Sequence, residues 1–254
     1  MIINTSKIRA SDDSIVTLEY HDKIDSTSKL AQKYANDFYP DRYAIISEYD
    51  TERGGDKRGV YISCILRPSF FPSQAGLLSA LSSVALVTAL EEHTTKRIGI
   101  GWVSNIYCEG KIIGGVTIEG KLDNFTAYEY IVVNFFASIS EENFPPRLTD
   151  LVRKVFESEN ISITSIIAKT IINKFFPLYS NMKNTTKFMN LYRNKFLMHG
   201  IKIKIMRDGK KRSYKVLGIN NHDCALLVEN KNGKIEKVIT PANVLTPKII
   251  KLQK

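Results

Sequence analysis

Cysteine is scarce in this chain. Cys64, Cys108 and Cys224 are the only three in 254 residues. Odd in number and widely spaced, they build neither a disulfide framework nor a zinc knuckle, and a reducing cytoplasm is the simplest setting. Histidine is equally thin. His21, His93, His199 and His222 are scattered, which points to structural roles and leaves no residue set to assign as metal ligands. No apolar run reaches bilayer length, because Leu77–Leu90 is broken by Ser79, Ser82, Ser83 and Thr88. Met1-Ile2-Ile3-Asn4 has no charged region ahead of an apolar block, so no signal peptide and no membrane partner are expected. The sequence also lacks a G-x-x-x-x-G-K-[ST] phosphate loop, a G-x-S-x-G elbow and an H-E-x-x-H pair. Walker-type nucleotide hydrolysis, elbow-type serine hydrolysis and zincin chemistry are thereby set aside.

What is present is ordinary globular material, 43% hydrophobic and 24% charged, enough for one large unit and one small one. The formal charge is +10 and is unevenly placed. Between Arg193 and Lys215 nine Lys or Arg stand against a single acid, Asp208. Such a field favours an anionic partner. No aromatics interleave to stack bases, so the expectation is a solvated basic face rather than a nucleic-acid site.

Ser26 or Thr27 can cap a helix running to about Asn36, with Leu30, Ala31 and Tyr34 on one face. Tyr43–Ser47 and Val60–Leu66 read as buried strands. After Pro68, Pro72 and Ser73, the segment Gln74–His93 predicts a helix with a broad apolar face. Strands are expected at Ile98–Trp102, Lys111–Glu119 and Ala127–Ile139, the last two joined by a turn at Gly120–Asn124. Pro145-Pro146 punctuates before helices at Leu148–Ser158, Thr164–Phe176 and Thr185–His199, with Gly200 as the stop of the last. The period then shortens to strands at Ile201–Met206, Ser213–Ile219, Ala225–Glu229 and Ile235–Ile239, the pattern of a small barrel.

Four fragments carry the chemistry, in a fixed order. Asp25-Ser26-Thr27-Ser28 opens the first helix, where a hydroxyl can cap or face a ligand. Glu52-Arg53-Gly54-Gly55-Asp56-Lys57-Arg58-Gly59 follows a strand, with glycines that admit a phosphate and cations that neutralise it. Gly101-Trp102-Val103-Ser104-Asn105 closes another strand, and Lys111-Ile112-Ile113-Gly114-Gly115-Val116-Thr117-Ile118-Glu119 forms the next. With the strand-rich segment from Gly200, this order resembles the biotin protein ligase family, whose members adenylate biotin with ATP and pass it to a carrier lysine.

The resemblance implies an α+β fold, a mixed central sheet flanked by helices of the class II synthetase and biotin/lipoate ligase type. A catalytic-type domain would span residues 1–199, and a small SH3-like β-barrel residues 200–254. No room is left for the winged-helix domain of bifunctional members. ATP and Mg²⁺ would be cofactors, biotin or a related acyl acid the substrate, and a biotin-accepting carrier domain the partner. A homodimer is compatible with the family's habit of pairing through sheets. Ser26, Thr27 and Ser28 would contact the acyl head, and Asp50 falls where the family often has a ring-binding glutamine. Arg53, Gly54, Gly55, Lys57 and Arg58 would close over the adenylate. Trp102 and Asn105 occupy a nucleotide-side strand end, and Gly114 and Gly115 leave ligand space. Lys111, as the family's lysine, would bridge acyl carboxylate and α-phosphate. Counting through Gly115 and Glu119 puts Ile112 there instead, and a bulge near Gly114-Gly115 would restore Lys111. Phe136 stands where the family has glycine. The alternative reading is therefore a degenerate ligase fold, packed through Phe136 and serving as a binding or scaffold partner.

Overall fold

The computed structural model describes residues 4–10, 12–139, 163–207, 209–239 and 244–245. The helix expected at Leu148–Ser158 and the Pro145-Pro146 stop lie outside them. Eight strands form the large sheet: β1 (Asn4–Arg9), β2 (Ile15–Ile24), β3 (Tyr43–Asp50), β4 (Gly59–Leu66), β5 (Ile98–Gly101), β6 (Asn105–Cys108), β7 (Lys111–Leu122) and β8 (Tyr128–Ser138). Their order is β1-β2-β3-β4-β8-β7-β6-β5. Only β2 and β3 run parallel, joined by the crossover helix α1 (Thr27–Asn36), so the sheet is mixed as the resemblance implied.

Alternation along the central strands gives the sheet two different faces. Ile45, Ile65, Tyr130 and Val132 meet Ala31 and Ala35 of α1 on one side. Ile46, Ile62, Cys64, Val133 and Phe135 turn to the other. There they meet α3 (Ala75–Glu91) and α4 (Ile163–Ser180), while a one-turn helix α2 (Thr51–Gly54) follows β3. Helix α3 is apolar on every side, because it is wrapped by the sheet, by α4 and by α5 (Thr185–Lys195). Counted from Pro72, this helix is long and apolar enough to cross a membrane, but 67% of its apolar window is buried inside the fold. It is a core helix.

Two sequence expectations are corrected here. Helix α4 continues through Pro177 to Ser180, past the expected end at Phe176. Helix α5 stops at Lys195, where Phe196 turns extended and bridges to Ile100 of β5. Gly200 keeps a left-handed φ of 77°, yet it shapes the turn into the small sheet rather than a helix end.

The small sheet is antiparallel, in the order β12 (Ile235–Val238), β11 (Leu226–Glu229), β10 (Lys210–Ile219), β9 (Lys202–Arg207), β13 (Val244–Leu245). Its inward residues Ile203, Ile205, Tyr214 and Val216 join the same apolar cluster as α3. Trp102 at the β5–β6 turn fastens it further, since its Nε1 donates to the Cys224 carbonyl at 2.8 Å.

Candidate functional site

The site grows from the first turn of α1. Ser26 is the N-cap, its Oγ accepting from the Lys29 amide at 3.3 Å. Thr27 donates through both its amide (2.9 Å) and its hydroxyl (3.0 Å) to Asp50 Oδ2. The other Asp50 oxygen accepts from the Arg53 amide at 3.0 Å, so this carboxylate, only 1% exposed, serves the starts of α1 and α2 together. A carboxylate suits this place, because amides in the first turn of a helix have no partner within the helix. Lys29 and Glu52 pair at 2.8 Å across the same two helices. Hydrogen bonding from Lys29 holds the Glu52 carboxyl below its usual range, with Ser26 contributing after it.

Beneath α1 the network crosses the sheet. Ser63 Oγ of β4 donates to Asn134 Oδ1 of β8 at 2.7 Å and lies 3.0 Å from Thr27 Oγ1. Asn134 Nδ2 donates onward to Glu119 Oε1 (3.2 Å) and Thr117 Oγ1 (3.3 Å) of β7. Ser28 Oγ reaches the same Glu119 oxygen at 3.3 Å, and Gln32 donates to the other one. Ser63 and Asn134 are buried, whereas Thr117 and Glu119 are exposed. The lattice thus runs from the sheet interior out to solvent. Register explains its assembly: Ser63 pairs with Asn134, and Asn134 pairs with Thr117.

Arg53 closes this floor from above. Its Nη2 donates to Thr117 Oγ1 at 3.1 Å, and its guanidinium carbon sits 5.0 Å from the Phe136 ring centroid. Phe136 belongs to the site face, not the helix-covered core. It is Phe135 that packs there, with its ring 5.1 Å from that of Phe175. The expectation of a core packed through Phe136 is therefore corrected by one residue. Gly115 admits the ring, since a Cβ at that position would lie 3.3 Å from Phe136 and 2.7 Å from the Ser104 carbonyl. Gly54 is bare for a similar reason, as a Cβ would strike the Tyr61 hydroxyl, and Gly55 ends α2 with φ 61°. The Gly-rich stretch is a folded helical turn with a left-handed stop.

Other expected site residues stand apart from the lattice. Arg58 pairs with Glu48 at 3.0 Å, and Glu48 alternates with Ile46 on the helix-covered face. Lys57 is exposed at the end of the loop. Trp102 is 2% exposed and binds the small sheet. Asn105 pairs with both Gly101 and Gly115. Gly114 lies where a Cβ would strike the Phe136 carbonyl.

Lys111 begins β7 and is exposed. A bulge does interrupt β6–β7, with Ile106 opposite Gly114 and Tyr107 opposite Ile112. Lys111 consequently faces Cys108, while Ile112 falls on the face of Asn105, Gly115 and Thr117. Lys111 and Thr117 also stand six positions apart along β7, roughly 19–20 Å. Among the described residues no group of three His, Cys, Asp or Glu is placed to hold a metal.

Ser63, Thr117, Glu119, Gln32 and Asn134 were not expected as site residues. A signal for two of them was present: Ser63 and Asn134 are lone polar residues inside the apolar strands VYISCIL and IVVNFFA, and a buried polar group needs partners.

Comparison with known proteins decides what this architecture is. No family model matches the chain. The bifunctional ligase/repressor BirA of Bacillus subtilis is 25% identical over 167 residues, 61% of this chain and 51% of that protein. BirA of Bacillus spizizenii is 24% identical over 156 residues, 58% of this chain and 48% of its own length. The biotin protein ligase of Aquifex aeolicus, solved with biotin and ATP, superposes with TM-score 0.64 at 19% identity, covering 88% of this chain and 95% of that one. The chain has the biotin protein ligase fold, and its sequence is similar to that of the BirA ligases. It spans about half the length of the curated relatives it matches. A biotin protein ligase-like protein of unknown function from a Silicibacter species superposes equally well, with TM-score 0.68 at 13% identity over 91% of this chain and 97% of that one. Within the biotin protein ligase fold, the lattice at the start of α1 is where this chain gathers its polar side chains.

Proposed function

We propose that the chain is an ATP-dependent ligase of the biotin type, activating biotin or a related acyl acid for a carrier lysine. The observation that carries this reading is the Thr27–Asp50–Ser63–Asn134–Glu119 lattice at the N-terminus of α1. It offers matched donors and acceptors to a polar head group, and Arg53 lies beside it as a cation for developing phosphate charge. In the first step an acid carboxylate oxygen attacks the α-phosphorus of ATP, and pyrophosphate leaves. In the second a carrier lysine amine attacks the acyl carbon, AMP leaves, and the amine loses a proton. In this reading Ser26–Ser28 and Asp50 order the acyl head, and Arg53, Lys57 and Arg58 cover the adenylate. Lys111 steadies the acyl phosphate. Arg58 would have to leave Glu48, and Lys111 would have to cross to the other face of β7. Since the described residues hold no carboxylate cluster, Mg²⁺ would arrive on the phosphates of the nucleotide. Buried cysteine thiols at 64, 108 and 224 fit a reducing cytoplasm.

A second reading has its own observation. With Arg58 paired to Glu48 and Lys111 opposite Cys108, the phosphate-side cations are not gathered. That favours an acyl-binding protein that does not adenylate. Exchange of labelled pyrophosphate into ATP, run with biotin and with lipoate, separates the two. The ligase reading expects exchange with one acid and a loss of at least tenfold in Arg53→Ala. Absence of exchange with both acids refutes it and leaves the binding reading.

A further inference from the structure

The basic segment after α5 does not disperse over the surface. Register places Lys202 opposite Lys215, Lys204 opposite Ser213, and Lys211 opposite Met206, and paired residues share a face. The alternate residues Ile203, Ile205 and Tyr214 are buried. Like charges directly opposite each other weaken a strand pair, so this face is not arranged for the stability of the sheet. Glu229 lies opposite Lys215 in the register of β11. Among the described residues, none of Lys202, Lys204, Lys211, Lys215 and Lys231 forms an ion pair. Lys204, Lys211, Arg212, Ser213, Lys231 and Asn232 line a groove of about 460 Å³ beside the β11–β12 turn. The one acid on its wall, Glu236, is already engaged by Arg207 (3.7 Å) and Asn230 (3.2 Å).

We propose that this groove is a binding track for double-stranded nucleic acid, held through its phosphates. Four cations with hydroxyl and amide donors between them match a phosphodiester backbone. Single strands are disfavoured because their capture relies on stacking platforms. Tyr214 is the only Phe, Trp or Tyr beyond Gly200, and it is 4% exposed. An acidic protein is disfavoured because the groove carries no exposed aromatic or apolar anchor around which protein interfaces form. Backbone recognition needs no interleaved aromatics, so their absence from the sequence does not exclude it. The inference is independent of the acyl site.

The test is fluorescence anisotropy with a labelled 20-base-pair DNA duplex of arbitrary sequence. With four phosphates neutralised, log affinity should fall against log salt with a slope of about −3.6, a loss of roughly 150-fold between 50 and 200 mM. The double variant Lys204→Gln/Lys211→Gln should lower the slope to about −1.8, while Lys33→Gln on α1 should leave it unchanged. Circular dichroism checks that each variant is folded. Absence of duplex binding at 50 mM salt, or an unchanged slope in the folded double variant, overturns the proposal. So does tighter binding to a single strand of the same sequence, or equal competition by polyglutamate, which would instead mark an acidic-protein surface.

Discussion

Asn134→Asp converts one buried donor into a carboxylate without changing its size. The amide nitrogen lies 3.2 Å from Glu119 Oε1, so the new oxygen faces an existing anion at that distance. Coulomb's law gives about 5 kcal/mol at an effective dielectric of 20 and about 1.3 kcal/mol in bulk water. Asn134 is buried and Glu119 exposed, which places the cost between those limits. The lost donation to Thr117 and Glu119 adds about 1–3 kcal/mol. Total destabilisation at pH 7 should be about 2–8 kcal/mol. Its pH dependence follows from linkage: the new carboxyl titrates above its unfolded value of about 3.9. The charge penalty is therefore absent below about pH 4, grows as pH rises, and levels off above the raised folded value. Asn134→Leu lacks the charge and should cost about 1–3 kcal/mol with little dependence on pH. Urea unfolding at pH 4, 5.5 and 7 measures all of this. An Asn134→Asp variant as stable as the wild type at pH 7, or with a defect constant from pH 4 to 7, would refute the lattice as drawn.

Trp102→Phe leaves the Cys224 carbonyl without its donor and opens a void beside the small sheet, so a loss of about 2–4 kcal/mol is expected by urea unfolding. His93, packed by Thr170, is held below its ordinary 6.5 by burial, against a smaller opposing effect of Glu92. Its contribution to stability is full above about pH 6.5 and is lost as pH falls through the lowered folded value, so His93→Gln should flatten thermal melts recorded between pH 7.5 and 5. Burial pushes the Cys224 thiol up to about 12 and Cys64 well above its ordinary range. Cys64, Cys108 and Cys224 should therefore all resist a thiol-specific chromogen in the native protein and all react in guanidinium.

Local signals were readable in the sequence and long-range ones were not. The Ser26 cap, the apolar helix after Pro72 and the short strands beyond Gly200 follow from spacing and turn chemistry within a few residues. The bulge between Ile112 and Gly114 was also foreseeable, from the mismatch between two ways of counting to the lysine. Its consequence was not, because only the pairing to β6 shows that Lys111 faces Cys108. Arg58 likewise sits in the anticipated loop, yet it pairs with Glu48 of β3. Strands β1 and β2 went unread. Glu19 and His21 interrupt the apolar pattern of β2, and their burial is supported by the pair they form at 2.7 Å and by the hydroxyls of Tyr34 and Tyr43. Ser63 and Asn134 are 71 residues apart, and register alone brings them together.

Calorimetric titration of the folded protein with biotin and with lipoate, each with and without ATP–Mg²⁺, tests the central claim most directly. One-to-one binding of one acid is expected, tightened by the nucleotide and weakened at least tenfold in Asn134→Leu. Heat from neither acid, under any combination, would contradict an acyl site at the start of α1.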